Sequence, residues 1–412
     1  MNTKLNRWQI LTASTVVLLC TGAIYAFSVF AGPLSAEKGW SMAEIMLAFT
    51  INSAIGPIPM ILGGFLTDKG LAKWSITIGG LLFGLGFFLS GFATSPSMLY
   101  VTYGVLGGLG QGLAYSGCLS NTIRLFPDKK GLASGIITAG MGGAAIIAAP
   151  ASNYLIEQQD TLHAFRILGI IYMVVVLIAS FFIKKAPANY VPEGWTPPEQ
   201  GKGGSQNKTW LQMLQTPYFY LIFLMLFAGA FSGLMIASNA SVIGQQMFGL
   251  TAATAAGYVS LYSLSNCLGR VLWGTISDKL GRNNALTIIL SVVAVAFVLM
   301  ASVSSQAGFA IGIVMLGLCF GGVMGVFAPL VMENYGPVNQ GVNYGIVFCG
   351  YSIAAFFAPK VATNMASTHN GDFTNAFYTA IAIALAGLIL NLFYMQLKKK
   401  ESQKKVTAEL SS

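Results

Sequence analysis

The sequence predicts an all-α membrane protein: twelve transmembrane helices in two pseudo-symmetric six-helix bundles, with both termini cytoplasmic. Three observations predict it. Apolar runs of about 20 residues, the length that crosses a hydrocarbon core, recur twelve times. Charged residues make up only 8% of the 412, against about 25% in soluble domains, and they gather between the runs. Positions in the first half also return in the second at one offset, 210 residues.

The first run, near 8–30, follows the basic stretch MNTKLNRW. It is longer than the roughly 7–15-residue apolar core of a secretory signal and lacks a convincing cleavage site, so it reads as a membrane helix. Five more runs follow near 44–66, 75–94, 98–122, 131–155 and 164–184. A polar stretch, 185–215, then carries Pro187, Pro192, Pro197, Pro198 and a Gly-Lys-Gly-Gly-Ser run. That is the composition of a linker. The second set lies near 216–240, 252–275, 284–303, 308–332, 340–363 and 373–397. The expected division is an N-terminal bundle at 1–184, a cytoplasmic linker at 185–215, a C-terminal bundle at 216–397 and a basic cytoplasmic tail at 398–412. The repeat supports two related halves: Gly64, Asp68 and Lys69 return as Gly274, Asp278 and Lys279, and Pro127, Gly131 and Gly135 return as Pro337, Gly341 and Gly345.

Charge placement sets the orientation. The termini and even-numbered connections hold Lys4, Arg7, Lys69, Lys73, Arg124, Lys129, Lys130, Lys184, Lys185, Lys202, Lys208, Lys279, Arg282 and the tail. The opposite side has little beyond Lys38 and Arg166. Basic residues mark the cytoplasmic side. The net charge of +9 therefore reflects membrane topology, and no nucleic-acid partner is expected. The 48 glycines suit close packing of membrane helices. The five cysteines fall within apolar runs without a C-x-x-C pair and read as small buried hydrophobes. There is no Ser/His/Asp set, metal cluster or phosphate-binding loop, so no enzyme, metal or cofactor is expected. A signalling role would need a sizeable soluble domain, and the linker and tail are too short for one.

The stretch 262–282, YSLSNCLGRVLWGTISDKLGR, organises the functional reading. An arginine within a membrane helix costs about 2.5–3.5 kcal/mol on insertion scales unless water or an anion compensates it. Tyr262, Asn266 and Arg270 recur every four residues, on one helical face. No Asp or Glu lies in the apolar part of that helix, which points to an anionic solute as the partner of Arg270. A guanidinium matches a carboxylate bidentately, and Asn266 is suited to a hydroxyl or keto oxygen on the same solute. Gln111 and Tyr115 share a face of the fourth helix, and Tyr25 lies on the first. Phe327 on the tenth helix, with Phe348 and Tyr351 on the eleventh, would form an aromatic wall. No Asp or Glu lies deep in any run; Glu44 and Glu333 sit near helix ends, and His163 and His369 fall near the outer surface. A proton would enter with the solute, or one anion would exchange for another.

Two resemblances add to this. The segment Gly274-Thr-Ile-Ser-Asp278-Lys279-Leu-Gly281-Arg282 resembles the loop signature of the major facilitator superfamily. That resemblance implies the major facilitator fold and a latch on the cytoplasmic face. The first-half copy, Gly64 to Gly70, is one residue short after Lys69 and departs from the pattern. The run from Asn121 through Arg124, Phe126, Pro127 and Asp128 to Gly135, with Gly22-x-x-Tyr25-x-x-Ser28 and Asn343-Tyr344-Gly345, is similar to the oxalate/formate antiporter family. That family is related to the proton-coupled monocarboxylate transporters. By this resemblance Arg270, before Trp273-Gly274, falls where the family carries its substrate-binding arginine. The oxalate exchangers pair that arginine with a lysine on the eleventh helix, and here the matching position is Tyr351. Two cations suit a dianion and one suits a monocarboxylate, so lactate, pyruvate or formate is favoured over oxalate. Lys360, near the outer end of that helix, reads as snorkelling to the surface. The function implied is secondary active transport of small monocarboxylates by proton-coupled symport and alternating access, with oxalate/formate-type antiport as the alternative. The expected setting is the cytoplasmic (inner) membrane of a bacterium, as a multi-pass monomer whose partners are the monocarboxylate anion, a proton and the lipid bilayer.

Overall fold

The structure, a computed structural model, describes residues 6–187, 190–196, 207–303 and 305–411. Lys4, Pro197, Pro198, Lys202 and the Gly-Lys-Gly-Gly-Ser run lie outside the described residues. Among the described residues every regular element is helical. Ten helices are long and apolar enough to cross a membrane. Two further rods, 96–124 and Ala252–Leu280, complete twelve in chain order. These two are less apolar because glycine, serine and asparagine crowd them, and they are the rods that carry Gln111, Tyr115, Asn266 and Arg270.

The chain divides into two compact units, Met1–Trp195 with Pro337–Ile346, and Thr196–Gly336 with Val347–Ser412. The first unit therefore includes a short segment from late in the chain, which a division at the linker alone would assign to the other half. Its first rod is interrupted: Arg7–Thr21, a tight turn over Gly22–Ala26, then Ser28–Lys38. The helix runs past the expected end near residue 30 and stops at Gly39, whose φ of 69° takes the left-handed conformation. The second rod, Met42–Ile55 and Pro57–Asp68, breaks where Pro57 supplies no N–H. Its start is fixed by a reciprocal cap in which Glu44 N donates to Ser41 Oγ and Ser41 N donates to Glu44 Oε2. Ala72–Ser90 forms the third rod. The fourth passes through a π-helical stretch, Tyr100–Gly107, before Gly108–Arg124. Lys130–Gly142 with Ala144–Gln158, then Thr161–Phe182, complete the six. Rings of Phe30, Phe87, Tyr103 and Phe165 cluster in the interior. Asn121 clamps the start of the linker, donating to Lys184 O at 3.0 Å and accepting from Ala186 N at 2.9 Å.

The second unit begins with the short helix Trp210–Leu214 and continues through Pro217–Phe248, Ala252–Leu280, Arg282–Ser302 and Gln306–Tyr335. After Gln340–Val347, the helices Cys349–Thr368 and Thr374–Ser411 follow. The expected tail from residue 398 is a helical continuation of the last rod, with no break. The eighth rod also runs further than expected, so Asp278 and Lys279 lie in its last helical turn rather than in a loop. Only Gly281, with φ of 83°, turns the chain before Arg282 starts the next helix.

The eighth and tenth rods pack backbone on backbone. Gly317, Gly321 and Gly325 form a stripe every four residues along the tenth rod. A Cβ at Gly321 would collide with Asn266 O and Arg270 N, and one at Gly325 with Arg270 O. Three missing side chains thus let the tenth rod press directly on the eighth over the turns that hold the candidate residues.

Candidate functional site

Tyr262, Asn266 and Arg270 are brought together as their spacing predicts. They are 3%, 9% and 4% exposed. Arg270 Nε donates to Asn266 Oδ1 at 3.2 Å, and Tyr262 donates its hydroxyl to Gly233 O at 2.7 Å. The main chain of this stretch is fixed by the glycine stripe, so the three side chains project from a rigid base. The guanidinium plane is braced at Nε by the neighbouring amide.

Tyr351 and Phe348 stack on each other, with ring centroids 4.5 Å apart and planes 23° apart. Phe320 extends that stack. Its ring lies 6.4 Å from Tyr351 on one side and 6.4 Å from Tyr262 on the other, nearly parallel to both. The sequence reading did not single out Phe320 or Gly233. A Cβ at Gly233 would strike the Phe320 ring, so this glycine makes the notch that the ring fills. The available signal was the glycine spacing on either side of Phe320, which marks that face of the tenth rod as one that takes another helix. Phe327, two turns further along, is 1% exposed in the core. Lys360 is exposed, with its Nζ 3.6 Å from the Phe356 ring centroid.

In the first unit, Tyr115 is buried and Gln111 half-buried on Gly108–Arg124, while Tyr25 is 42% exposed on the Gly22–Ala26 turn. Asp68 and Arg282, at the rod ends, are bonded. Asp68 pairs with Arg124, and its two carboxylate oxygens accept from Gly341 N and Val342 N, each at 3.0 Å. Gly64 lies against the same segment: a Cβ there would overlap the Gly341 backbone. Lys69 lies over the Phe65 ring. In the second unit, Arg282 donates to Asp278 Oδ1 at 2.6 Å and Glu333 Oε1 at 3.0 Å, and Gly274 is buried while Lys279 is exposed.

Glu37 and His369 also have structural partners. Glu37, also not singled out from sequence, accepts from Thr161 N at 3.1 Å and Oγ1 at 2.6 Å and so caps the sixth rod. His369 is exposed, with Nδ1 2.9 Å from Met365 O, and His163 is half-buried at the start of the sixth rod.

Comparison with known proteins agrees with this architecture. The family profile described as Major Facilitator Superfamily matches residues 13–359. An uncharacterized MFS-type transporter of Escherichia coli (strain K12), YhjX, is 29% identical over 358 residues, covering 86% of this chain and 87% of that protein. The oxalate:formate antiporter of Oxalobacter formigenes is 28% identical over 403 residues, covering 96% and 94%. Human monocarboxylate transporter 12 is 25% identical over 458 residues, covering 97% and 84%. Two solved structures share the fold. The transporter FucP in the outward conformation superposes with a TM-score of 0.71 at 17% identity, over 93% of this chain and 98% of that one. The proton:xylose symporter XylE gives 0.74 at 14%, over 94% and 95%. The relatives and structural neighbours are transporters, not enzymes. With twelve membrane rods and a profile that spans most of its length, the chain belongs to the major facilitator superfamily of multi-pass membrane transporters.

Proposed function

We propose that this chain is a secondary active transporter of small monocarboxylates, of the L-lactate, pyruvate or formate class. It binds the carboxylate at Arg270 and carries it across the membrane with a proton by alternating access. The observation that carries this reading is Arg270 itself, a buried arginine in mid-rod braced by Asn266 at 3.2 Å. An ionisable residue at such a position marks a solute pathway by default. A planar guanidinium held in one orientation recognises a carboxylate by geometry as well as charge. Tyr351 supports a monoanion, because it presents an aromatic ring stacked on Phe348 and Phe320 where a dianion would call for a second cation. Asn266, Phe348 and Phe327 are the second unit's further candidates for solute contact, and Gln111, Tyr115 and Tyr25 are the first unit's.

The repeated rod-end motif is assigned a gating role on the cytoplasmic side. Its members are Gly64, Asp68 and Lys69 in one copy and Gly274, Asp278, Lys279, Gly281 and Arg282 in the other. Support comes from the carboxylate of Asp68, which gathers Arg124 and two backbone N–H groups at once. The protein is assigned to the cytoplasmic membrane of a bacterium, as a monomer.

The second reading is anion exchange. It is favoured by the relative named as an oxalate:formate antiporter, which aligns over 96% of the chain, and by acids that cap helices or pair with arginines rather than lying in mid-rod. Uptake of labelled L-lactate into reconstituted vesicles tests both. Accumulation in empty vesicles under an inward proton gradient establishes symport. Uptake only into vesicles preloaded with formate, lactate or oxalate establishes exchange. No lactate flux under either condition rejects lactate as the solute.

A further inference from the structure

The two copies of the rod-end motif place their cations differently. In the second, Arg282 is 7% exposed and bonded to Asp278, Glu333 and Ser277. In the first, the chain turns one residue earlier, at Gly70 with φ of +86°, and the next position is Leu71. The exposed lysines around that turn include Lys69, Lys73 and Lys185. Among the described residues none of the three makes an ion pair or a hydrogen bond. Asp68, the acid on this turn, is already taken by Arg124 and the Gly341 and Val342 amides.

Each of these lysines rests on apolar surface or bare backbone. Lys69 Nζ lies 5.6 Å from the Phe65 ring centroid and Lys73 Nζ 5.9 Å from that of Phe181. The Lys185 side chain crosses Gly70 so closely that a Cβ there would displace it. Large rings at these rod ends are among the most exposed in the first unit: Phe65 at 48%, Trp74 at 61% and Phe181 at 75%. Among the described residues, three ammonium groups without an ion pair and three exposed rings therefore gather at one end of the first unit. It lies where the second rod ends at Asp68, the third begins at Ala72 and the sixth ends at Phe182. Rod ends lie at the level where acyl chain gives way to headgroup.

We propose that this face binds an anionic phospholipid of the cytoplasmic leaflet. Its phosphate lies among Lys69, Lys73 and Lys185, and its acyl chain lies along Trp74 and Phe181. Lysine serves here as a point charge for phosphate, and aromatic rings hold the interfacial depth. A zwitterionic lipid presents its own ammonium group to the three lysines and is disfavoured. The site is independent of the solute bound at Arg270.

Native mass spectrometry of the full-length, delipidated protein titrated with phosphatidylglycerol or phosphatidylcholine tests this. Phosphatidylglycerol is expected to be retained in preference to phosphatidylcholine. Each lysine near an anionic surface contributes about fivefold. The combined Lys69→Gln, Lys73→Gln, Lys185→Gln variant, folded by its melting temperature, should therefore bind phosphatidylglycerol about 100-fold more weakly. Lys398→Gln with Lys399→Gln, in the other unit, should leave that binding unchanged. Equal retention of the two lipids, undiminished binding by the folded triple variant, or an equal loss in the second-unit variant overturns the proposal. So does displacement of phosphatidylglycerol by millimolar inorganic phosphate, which would make this a site for free anions.

Discussion

Arg270 Nε donates to Asn266 Oδ1 across one turn of the eighth rod, at 3.2 Å and out of contact with bulk solvent. The bond fixes the guanidinium plane as well as the position of its charge, which distinguishes this site from a cation that has merely been buried. Arg270→Lys keeps the charge and loses both the fork and the Nε donor. Charge-assisted hydrogen bonds contribute about 1.5–3 kcal/mol, so lactate uptake efficiency should fall about 10- to 100-fold in a folded protein. Normal kinetics in this variant would remove Arg270 from the solute site.

Tyr351→Lys adds a second cation beside the Phe348 and Phe320 rings. Oxalate should then compete better with labelled lactate than it does in the unaltered protein. An unchanged ratio of inhibition by oxalate and unlabelled lactate would sink the argument from charge count.

The glycine stripe makes a stability prediction with an internal control. Alanine at Gly321 would thrust a methyl into Asn266 O and Arg270 N, whereas alanine at Gly257, on the eighth rod, meets nothing within 4 Å. Overpacking of this kind costs about 1–3 kcal/mol. Gly321→Ala should lower the melting temperature in detergent and Gly257→Ala should not. Matching melting curves would show that the two rods are free to separate.

Asp68→Asn removes the charge on which Arg124, Gly341 N and Val342 N converge. Uptake is expected to fall about 10-fold or more, by the same magnitude for charged hydrogen bonds, while equilibrium binding of lactate in detergent is retained. Unimpaired uptake would strip the motif of its gating role.

Much of this architecture is legible from the sequence because membrane burial imposes long apolar runs and confines charge to their ends. The spacing of Tyr262, Asn266 and Arg270 likewise encodes a shared face directly. What escapes are features set by the partner of a helix rather than by its own residues. Nothing near Pro337 announces that it clusters with the first unit, since the cause is a carboxylate at Asp68, far away in sequence. Phe320 gains its place from a missing side chain at Gly233 on another rod. Rod ends are set in a related way. Helices continue past the apolar run until a left-handed glycine such as Gly39, Gly249 or Gly281 stops them, so Lys38 and Asp278 are helical although they are charged.

The unbroken helix Thr374–Ser411 has a practical use. At about 1.5 Å per residue its 38 residues span about 57 Å, nearly twice the roughly 30 Å of a hydrocarbon core. A fluorophore or a small rigid domain fused in helical phase along its distal part would act as a goniometer arm. It would turn with the second unit and magnify small tilts into displacements large enough to image, while leaving every inter-rod connection in its native form.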